Sequence, residues 1–585
     1  MPEANDILHQ ALQLHQAGNL PAAGALYRQI VANNPGQADA LHLLGVIAAQ
    51  SGQADEAVRL ITQAIAIKPD FPIALANLGK AQRDKGDLDA AIASYRQAIA
   101  LNPDDALTRY HLARIWMDKG QFDQAIAGFQ EALALRPDVA EARVGLANAL
   151  MGKGRFDEAI ASYQRALALN PNHAEAQSNL GVAWDAKGQI DQAIACYQRA
   201  VAINPDYPEA HNNLGNAWNA KAQPDKAIAC FRRAIELNPR YVEAHNNLGA
   251  ALADLGRSDE AITCYRTALS IRPNFAGAHN NLAQSLLRSG QFAEGWKHFE
   301  WRYGRLGFPG RRDLGQPIWN GANLPGCTIL LTAEQGMGDT IQFIRYAALV
   351  AGRCQRVLLE CPSELLPLLR EVRGITELVR QNDPLPPFDA HCPLLSLPGI
   401  FSTTLDSIPR DMPYLRADPE RAAAWSARVG RDRRLKIGLA WAGNPRHKND
   451  RNRSIPPAAF APLSAIPGTV FVSLQKSVSA SQPPRPPAGM EMIDHTTELR
   501  DFADTAALIA NLDLVISVDT AIVHLAGAMA KPVWTLLPQV ADWRWLMDRS
   551  DSPWYPTMRL FRQPGAGDWA AVMQRVAAEL AGLPR

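Results

Sequence analysis

The chain has 585 residues, too many for one hydrophobic core, so it divides into about two to four units. Apolar residues make up 47% and charged residues 20%, the balance of a water-soluble globular protein. A formal net charge of +1 gives no electrostatic basis for nucleic acid or an anionic membrane surface as partner.

The N-terminal "MPEANDILHQALQLHQ" lacks the basic-then-apolar order of an export signal, and no apolar run of about 18 residues follows anywhere. The seven cysteines include no C-x-x-C pair, and Cys196, Cys230 and Cys264 stand 34 residues apart as small thiols at one repeated position. These features predict a cytoplasmic protein without a membrane span.

From the start to about residue 300 the chain repeats itself. Prolines recur every 34 positions at Pro35, Pro69, Pro103, Pro137, Pro171, Pro205, Pro239 and Pro273. Each follows a phrase such as "SYRQAIALNP" or "CYQRAVAINP". Position 8 of many units is glycine (Gly79, Gly181, Gly215, Gly249), position 20 alanine (Ala91, Ala193, Ala227, Ala261), and position 24 aromatic (Tyr95, Tyr197, Phe231, Tyr265). This pattern resembles the tetratricopeptide repeat. The small residue lets two helices approach, the aromatic fills the space between them, and the proline ends the second helix. No unit buries its apolar face alone, so the units are expected to stack into an α-solenoid with a concave inner surface. A ninth unit, from Ala276, ends in "FAEGWKHFEWRY" without the alanine or the proline, as a terminal unit docked on something else would.

Asparagine recurs at position 6, at Asn77, Asn179, Asn213, Asn247 and Asn281. It is a mediocre helix former, so its recurrence has two readings. One is a harmless polar residue copied with the repeat. The other is a ladder of amides that donate to and accept from an extended peptide. Similar ladders occur in the repeats of O-linked N-acetylglucosamine transferases, where they bind the protein substrate.

After Tyr303 the texture changes. Residues 304–326, "GRLGFPGRRDLGQPIWNGANLPG", read as a linker. Short apolar runs then alternate with helical segments: "TILLTA", "RVLLEC", "KIGLAWAG", "VFVSLQ", "MEMID", "LDLVISVD" and "PVWTLLP". That alternation predicts parallel sheets, and its length suits two Rossmann-like lobes, 327–430 and 431–585, after a solenoid over 1–303. Ligands in such sheets lie beyond the carboxyl ends of the strands.

Three strand ends carry chemistry. "TILLTAEQGMGDTIQF" leads into Gly336-x-Gly338-Asp339, which is neither a Walker loop nor a full dinucleotide fingerprint. Asp339 is either a helix cap or an exposed general base. "GLAWAGNPRHKNDRNRS" ends a strand in Arg446, His447, Lys448, Arg451 and Arg453, a solvated basic loop or a phosphate site; Arg446 and Arg451 suit the first reading. "ISVDTAIVHLAGA" turns at Asp519-Thr520 into a helix whose amides face the crevice, with His524 one turn on, a phosphate site or a core histidine.

In their order and spacing, "GMGDT", the basic loop and "SVDTAIVHLAGAMAKPVWTLLP" resemble the heptosyltransferase-like (family 9) glycosyltransferases, which have the two-lobed GT-B fold. The resemblance implies Asp339 as catalytic base, with Gly336 and Gly338 of its loop among the donor-binding residues. It implies Lys448, Arg453, Asp519, Thr520 and His524 as donor-binding residues. Arg453 and Ile455 stand where the family has lysine and tryptophan, so the family's sugar is not carried over. The aromatics of "DWRWL" and "DSPWYP" either stack on a base or sugar or pack against the other lobe.

The function this implies is inverting transfer from a nucleotide-sugar to a protein hydroxyl, with flagellin one candidate acceptor, bound through the asparagine positions. Residues 306–585 hold no Asp-x-Asp pair, so neither a metal nor another cofactor is invoked. The alternative is a repeat scaffold carrying a saccharide-directed or inactive transferase.

Overall fold

The computed structural model describes residues 2–304, 312–430, 433–445, 449–476 and 490–583. It forms two compact units, Met1–Pro239 and Arg240–Arg585.

The first unit consists of seven helical hairpins, from Pro2–Gln16 to Pro224–Leu237. Each second helix stops two residues before its proline, as Leu88–Leu101 stops before Pro103. The glycine at position 8 has the expected steric cause. A Cβ on Gly181 would lie 2.6 Å from the Tyr197 ring, and one on Gly215 2.6 Å from Phe231. Between the helices of a hairpin the chain turns through a left-handed residue, Gly18, Gly52, Gly86, Gly120, Gly154 and Gly188, with φ from 69 to 92°. In the seventh hairpin that place is taken by Ala222, at φ 55°. Consecutive hairpins are also linked by a ladder of exposed ion pairs, Lys85–Asp55, Lys119–Asp89, Lys153–Asp123, Lys187–Asp157 and Lys221–Asp191. Exposed and screened, these pairs add little stability but repeat with the 34-residue period.

The second unit opens with two more hairpins, Val242–Asp254 with Ser258–Ile271 and Ala276–Arg288 with Phe292–Phe299. Two parallel sheets follow. The first has β1 (Leu324–Thr332), β2 (Cys354–Cys361), β3 (Glu377–Arg380) and β4 (Ala390–Pro393) in the order β3-β2-β1-β4. The second has β5 (Leu435–Ala440), β6 (Thr469–Ser473), β7 (Met492–Ile493), β8 (Leu514–Val518), β9 (Val533–Leu537) and β10 (Met558–Arg562) in the order β10-β9-β8-β5-β6-β7. Ile329 lies opposite Val357 and Ile437 opposite Leu514, apolar pairs buried on both faces as parallel sheets require.

Residues 312–323, read above as part of a linker, are built into the first lobe. Trp319 is buried there, Ile318 bridges His391, and Arg312 pairs with Glu360 at 2.6 Å. The terminal helix Phe292–Phe299 is packed into the same core: Trp296 donates its indole N–H to the Thr403 carbonyl at 2.9 Å and meets Trp543 edge-on. No described helix is long and apolar enough to cross a membrane.

Candidate active site

Each sheet has a point where the chain reverses its direction of winding. In the first sheet the chain leaves β1 for β2 and β3 on one side and returns with β4 on the other. In the second it leaves β5 for β6 and β7, then returns with β8, β9 and β10. The carboxyl ends of β1, β5 and β8 therefore open at switch points, the geometry in which such sheets hold ligands. The Gly-Asp loop, the basic loop and the Asp-Thr-His motif follow those three strands.

After β1, Gly336 is the N-cap of the helix Met337–Phe343, and Asp339 Oδ2 accepts the Gly336 N–H at 2.9 Å. Asp339 Oδ1 takes the guanidinium of Arg544. The Gly338 Cα lies against the second lobe. A Cβ there would sit 2.9 Å from His524 Cδ2 and 3.3 Å from Ala521 Cα. The close approach that this glycine permits is thus between two helices of the protein, Met337–Phe343 and Ala521–Ala528.

After β5, Arg453 lies over Gly443, where a Cβ would meet its Nη2 at 2.6 Å. Arg453 donates from Nη1 to the Asp519 carbonyl at 3.0 Å and from Nε to Asp450 at 3.3 Å. The ends of β5 and β8 are thereby tied together. Lys448, with Arg446 and His447, lies outside the described residues. Thr520 caps the helix Ala521–Ala528, its hydroxyl accepting from the Ile522 N–H at 3.4 Å.

Charge is concentrated at this junction. Burial, reinforced by the Asp542 carboxylate, pushes the Asp519 carboxyl up to about 6, against the pull of Arg544 and Arg453. His524 is buried, its Nδ1 2.9 Å from the Tyr555 hydroxyl and its Nε2 4.0 Å from Asp519 Oδ1, with its ring stacked on Trp545. Burial first, then the charges of Arg544 and Arg345, hold its pKa well below the ordinary value, so the imidazole is neutral at pH 7. The two readings of His524 meet here: it is a satisfied core histidine whose other nitrogen faces the acid.

Arg544 is the residue that motif reading passed over. It donates from Nε to Gln342 Oε1 at 2.6 Å, from Nη1 to Asp542 at 2.9 Å, and from Nη2 to Asp339. The aromatics of "DWRWL" and "DSPWYP" are packed in the core. Trp543, Trp545, Trp554 and Tyr555 are at most 1% exposed. Trp543 stacks on Phe343 of the first lobe, and Arg345 donates to the Trp554 carbonyl at 2.9 Å. Among the described residues no three His, Cys, Asp or Glu side chains converge to hold a metal ion.

The five asparagines are half-buried on the first helices of their hairpins. In the first unit the Asn77 amide nitrogen lies 2.8 Å from His42 Nε2, and Asn179 donates to Asn148 at 3.3 Å. No side-chain hydrogen bond to another described residue holds Asn213. In the second unit Asn246 donates to Asn247 at 3.3 Å and accepts from Asn281 at 3.0 Å. Neighbouring amides thus bond one another and use part of their donor capacity.

Comparison with known proteins finds repeats in the N-terminal half of the chain and a transferase match in its C-terminal part. Tetratricopeptide-repeat family models match residues 14–83, 76–140, 117–174, 144–208, 185–221, 208–241 and 242–275. The glycosyltransferase family 9 (heptosyltransferase) model matches residues 497–544, a segment that contains Asp519, Thr520, His524 and Arg544. The chain is similar to protein FlbA of Caulobacter vibrioides, 27% identical over 324 residues, which cover 50% of this chain and 53% of that protein. It thus spans about half the length of that curated relative. Among solved structures it is similar to MamA, 32% identical over 28% of this chain and 95% of that one, with a TM-score of 0.27. It is also similar to YrrB, a tetratricopeptide-repeat protein with an unusual peptide-binding site, 25% identical over 32% of this chain and 95% of that one, with a TM-score of 0.28.

Proposed function

We propose, from a chain that carries tetratricopeptide repeats across its N-terminal half and a glycosyltransferase family 9 match in its C-terminal part, that it moves a sugar from a nucleotide-sugar to a hydroxyl of a protein acceptor. One observation supports this above the others. The switch point of the second sheet brings Arg453 and the Asp519–Thr520 turn together, and the helix behind that turn packs against the loop carrying Asp339.

The reaction is a single displacement with inversion. Asp339 takes the proton of the acceptor hydroxyl as its oxygen attacks the anomeric carbon, and the bond from that carbon to the nucleotide's phosphate oxygen breaks. Arg453 and the amides at Thr520 meet the charge that grows on the departing phosphate, with no metal invoked. Asp519 and His524 hold the donor from the floor of the site, and Lys448 adds a second cation. The asparagines bind the acceptor chain and, by tethering it to the transferase, raise its effective concentration. A flagellin is one candidate acceptor. The test is turnover by the full-length protein with a panel of labelled nucleotide-sugars and candidate acceptors. Transfer that Asp339→Asn removes supports the reading, and transfer that persists in that variant rejects Asp339 as base.

One observation favours a second reading, a scaffold whose transferase is inactive. Asp339 is held by both the Gly336 amide and Arg544, an arrangement that also suits a purely structural carboxylate. Binding of nucleotide-sugar without any transfer or hydrolysis separates the two.

A further inference from the structure

The last repeat reaches into the loop that carries Asp339. Arg302 follows the terminal helix Phe292–Phe299 and is 2% exposed. Its Nη2 donates to Glu334 Oε1 at 2.7 Å, to Ser396 Oγ at 2.7 Å and to the Tyr303 hydroxyl at 2.8 Å. Nε adds a second bond to Glu334 at 3.2 Å, and Nη1 donates to Glu300 at 2.7 Å. The Tyr303 hydroxyl donates to Glu334 Oε2. Both oxygens of Glu334 are therefore taken by two consecutive residues of the repeat.

Glu334 stands just beyond β1, two residues before the N-cap Gly336 and five before Asp339. Its side chain is 11% exposed. Burial raises its pKa and the Arg302 guanidinium opposes that rise. A buried ion pair adds little net stability over an apolar filling of the same volume, and its best use is to fix geometry. The geometry fixed here is that of the loop from Glu334 to Asp339.

We infer that Arg302 and Tyr303 are positioning residues for the transfer reaction: the terminal repeat holds the 334–339 loop so that Asp339 faces the crevice. This rests on the reading of Asp339 as base. The repeat array then has a second task beside acceptor recruitment, since its last turn is part of the transfer site.

The experiment uses the full-length chain with Tyr303→Phe and Glu334→Gln, which keep the side-chain shapes, and Arg302→Gln with Arg302→Lys as its conservative counterpart. It reads kcat, the KM for donor and acceptor, thermal midpoint, and amide exchange over residues 333–343. Tyr303→Phe is expected to lower kcat about 10- to 100-fold with both KM values and the thermal midpoint nearly unchanged. Glu334→Gln should lower kcat by more than its loss of folded fraction accounts for, its midpoint also falling because the buried Arg302 charge keeps only Glu300. Exchange at Gly336 and Asp339 should quicken while the repeat helices stay protected, and Arg302→Lys should retain more turnover than Arg302→Gln. Unchanged kcat overturns the proposal, as does a loss of kcat that merely follows the folded fraction. If the wild-type protein neither transfers nor hydrolyses any donor, the reading of the activity has failed. The exchange data then decide the clamp alone, and unaltered exchange at 333–343 rejects it.

Discussion

Asp339 has its two oxygens engaged from opposite lobes, Oδ2 by the Gly336 amide of its own helix and Oδ1 by Arg544. Asp339→Asn keeps the shape and removes the charge, and it should abolish transfer with donor affinity within a few-fold. Donor affinity measured by calorimetry decides; if binding is lost as well, Asp339 is a structural cap. Asp519 makes a pH-dependent prediction. Its folded pKa of about 6 lies above the ordinary carboxyl value near 4, so the folded state holds the proton more tightly. The stability this contributes is complete below pH about 4 and is lost as pH rises through about 6. Asp519→Asn should therefore raise the thermal midpoint above pH 6, leave it nearly unchanged below pH 4, and weaken donor binding. The neutral His524 acts in the opposite sense as pH falls below its ordinary value. Asp339, Asp519 and Thr520 stand out in the sequence as candidates because each sits at a strand–helix junction, where residue type alone suggests a task, and His524 lies one turn into the helix that follows. Arg544 does not stand out. Its bond to Gln342 spans 202 positions, and no local pattern marks it.

At the scale of elements, the repeat that holds Gly215 and Ala222 offers two substitutions of opposite sign. Ala222 adopts φ 55° where the neighbouring hairpins use glycine. Ala222→Gly should stabilise the protein by roughly 0.5–1 kcal/mol, the relief of the left-handed strain less the added freedom of the unfolded chain. Gly215→Ala should cost about 1–3 kcal/mol, because its Cβ would enter the Phe231 ring at 2.6 Å. Denaturant titration of both variants measures the difference. The 34-residue period made the hairpins readable, since each repeats the same helix-packing solution. Seven of the ten strands among the described residues were also visible as apolar runs, and the other three show why some were not. β3 (Glu377–Arg380) and β4 (Ala390–Pro393) have four residues each, too few for a periodic signal. In β10, "MRLFR", arginines interrupt the apolar run. Trp319 sits in a Gly- and Pro-rich stretch that has no helical or strand period, yet it is buried through contacts made far along the chain.

For the whole molecule, the proposed function divides recruitment, by the repeats, from chemistry, by the two lobes. Replacing Asn213, Asn247 and Asn281 together with alanine should raise KM for protein acceptors and leave donor hydrolysis unchanged. An equal loss on both would mean a misfolded array rather than a lost acceptor site. Fold class and the division into repeat and α/β halves were legible from period and composition. The lost alanine and proline of the ninth unit showed that it docks on something, but not through which residues, because Arg302, Tyr303 and Glu334 look ordinary in sequence and acquire meaning only once folded. The most direct test of the central claim is a thermal-shift titration of full-length protein with UDP-, GDP-, ADP- and CMP-sugars. At 100-fold excess over Kd, a bound donor adds about 2.7 kcal/mol of stability. One nucleotide family should raise the midpoint, and Arg453→Ala should remove the shift. A folded protein whose midpoint responds to none of them would contradict the claim.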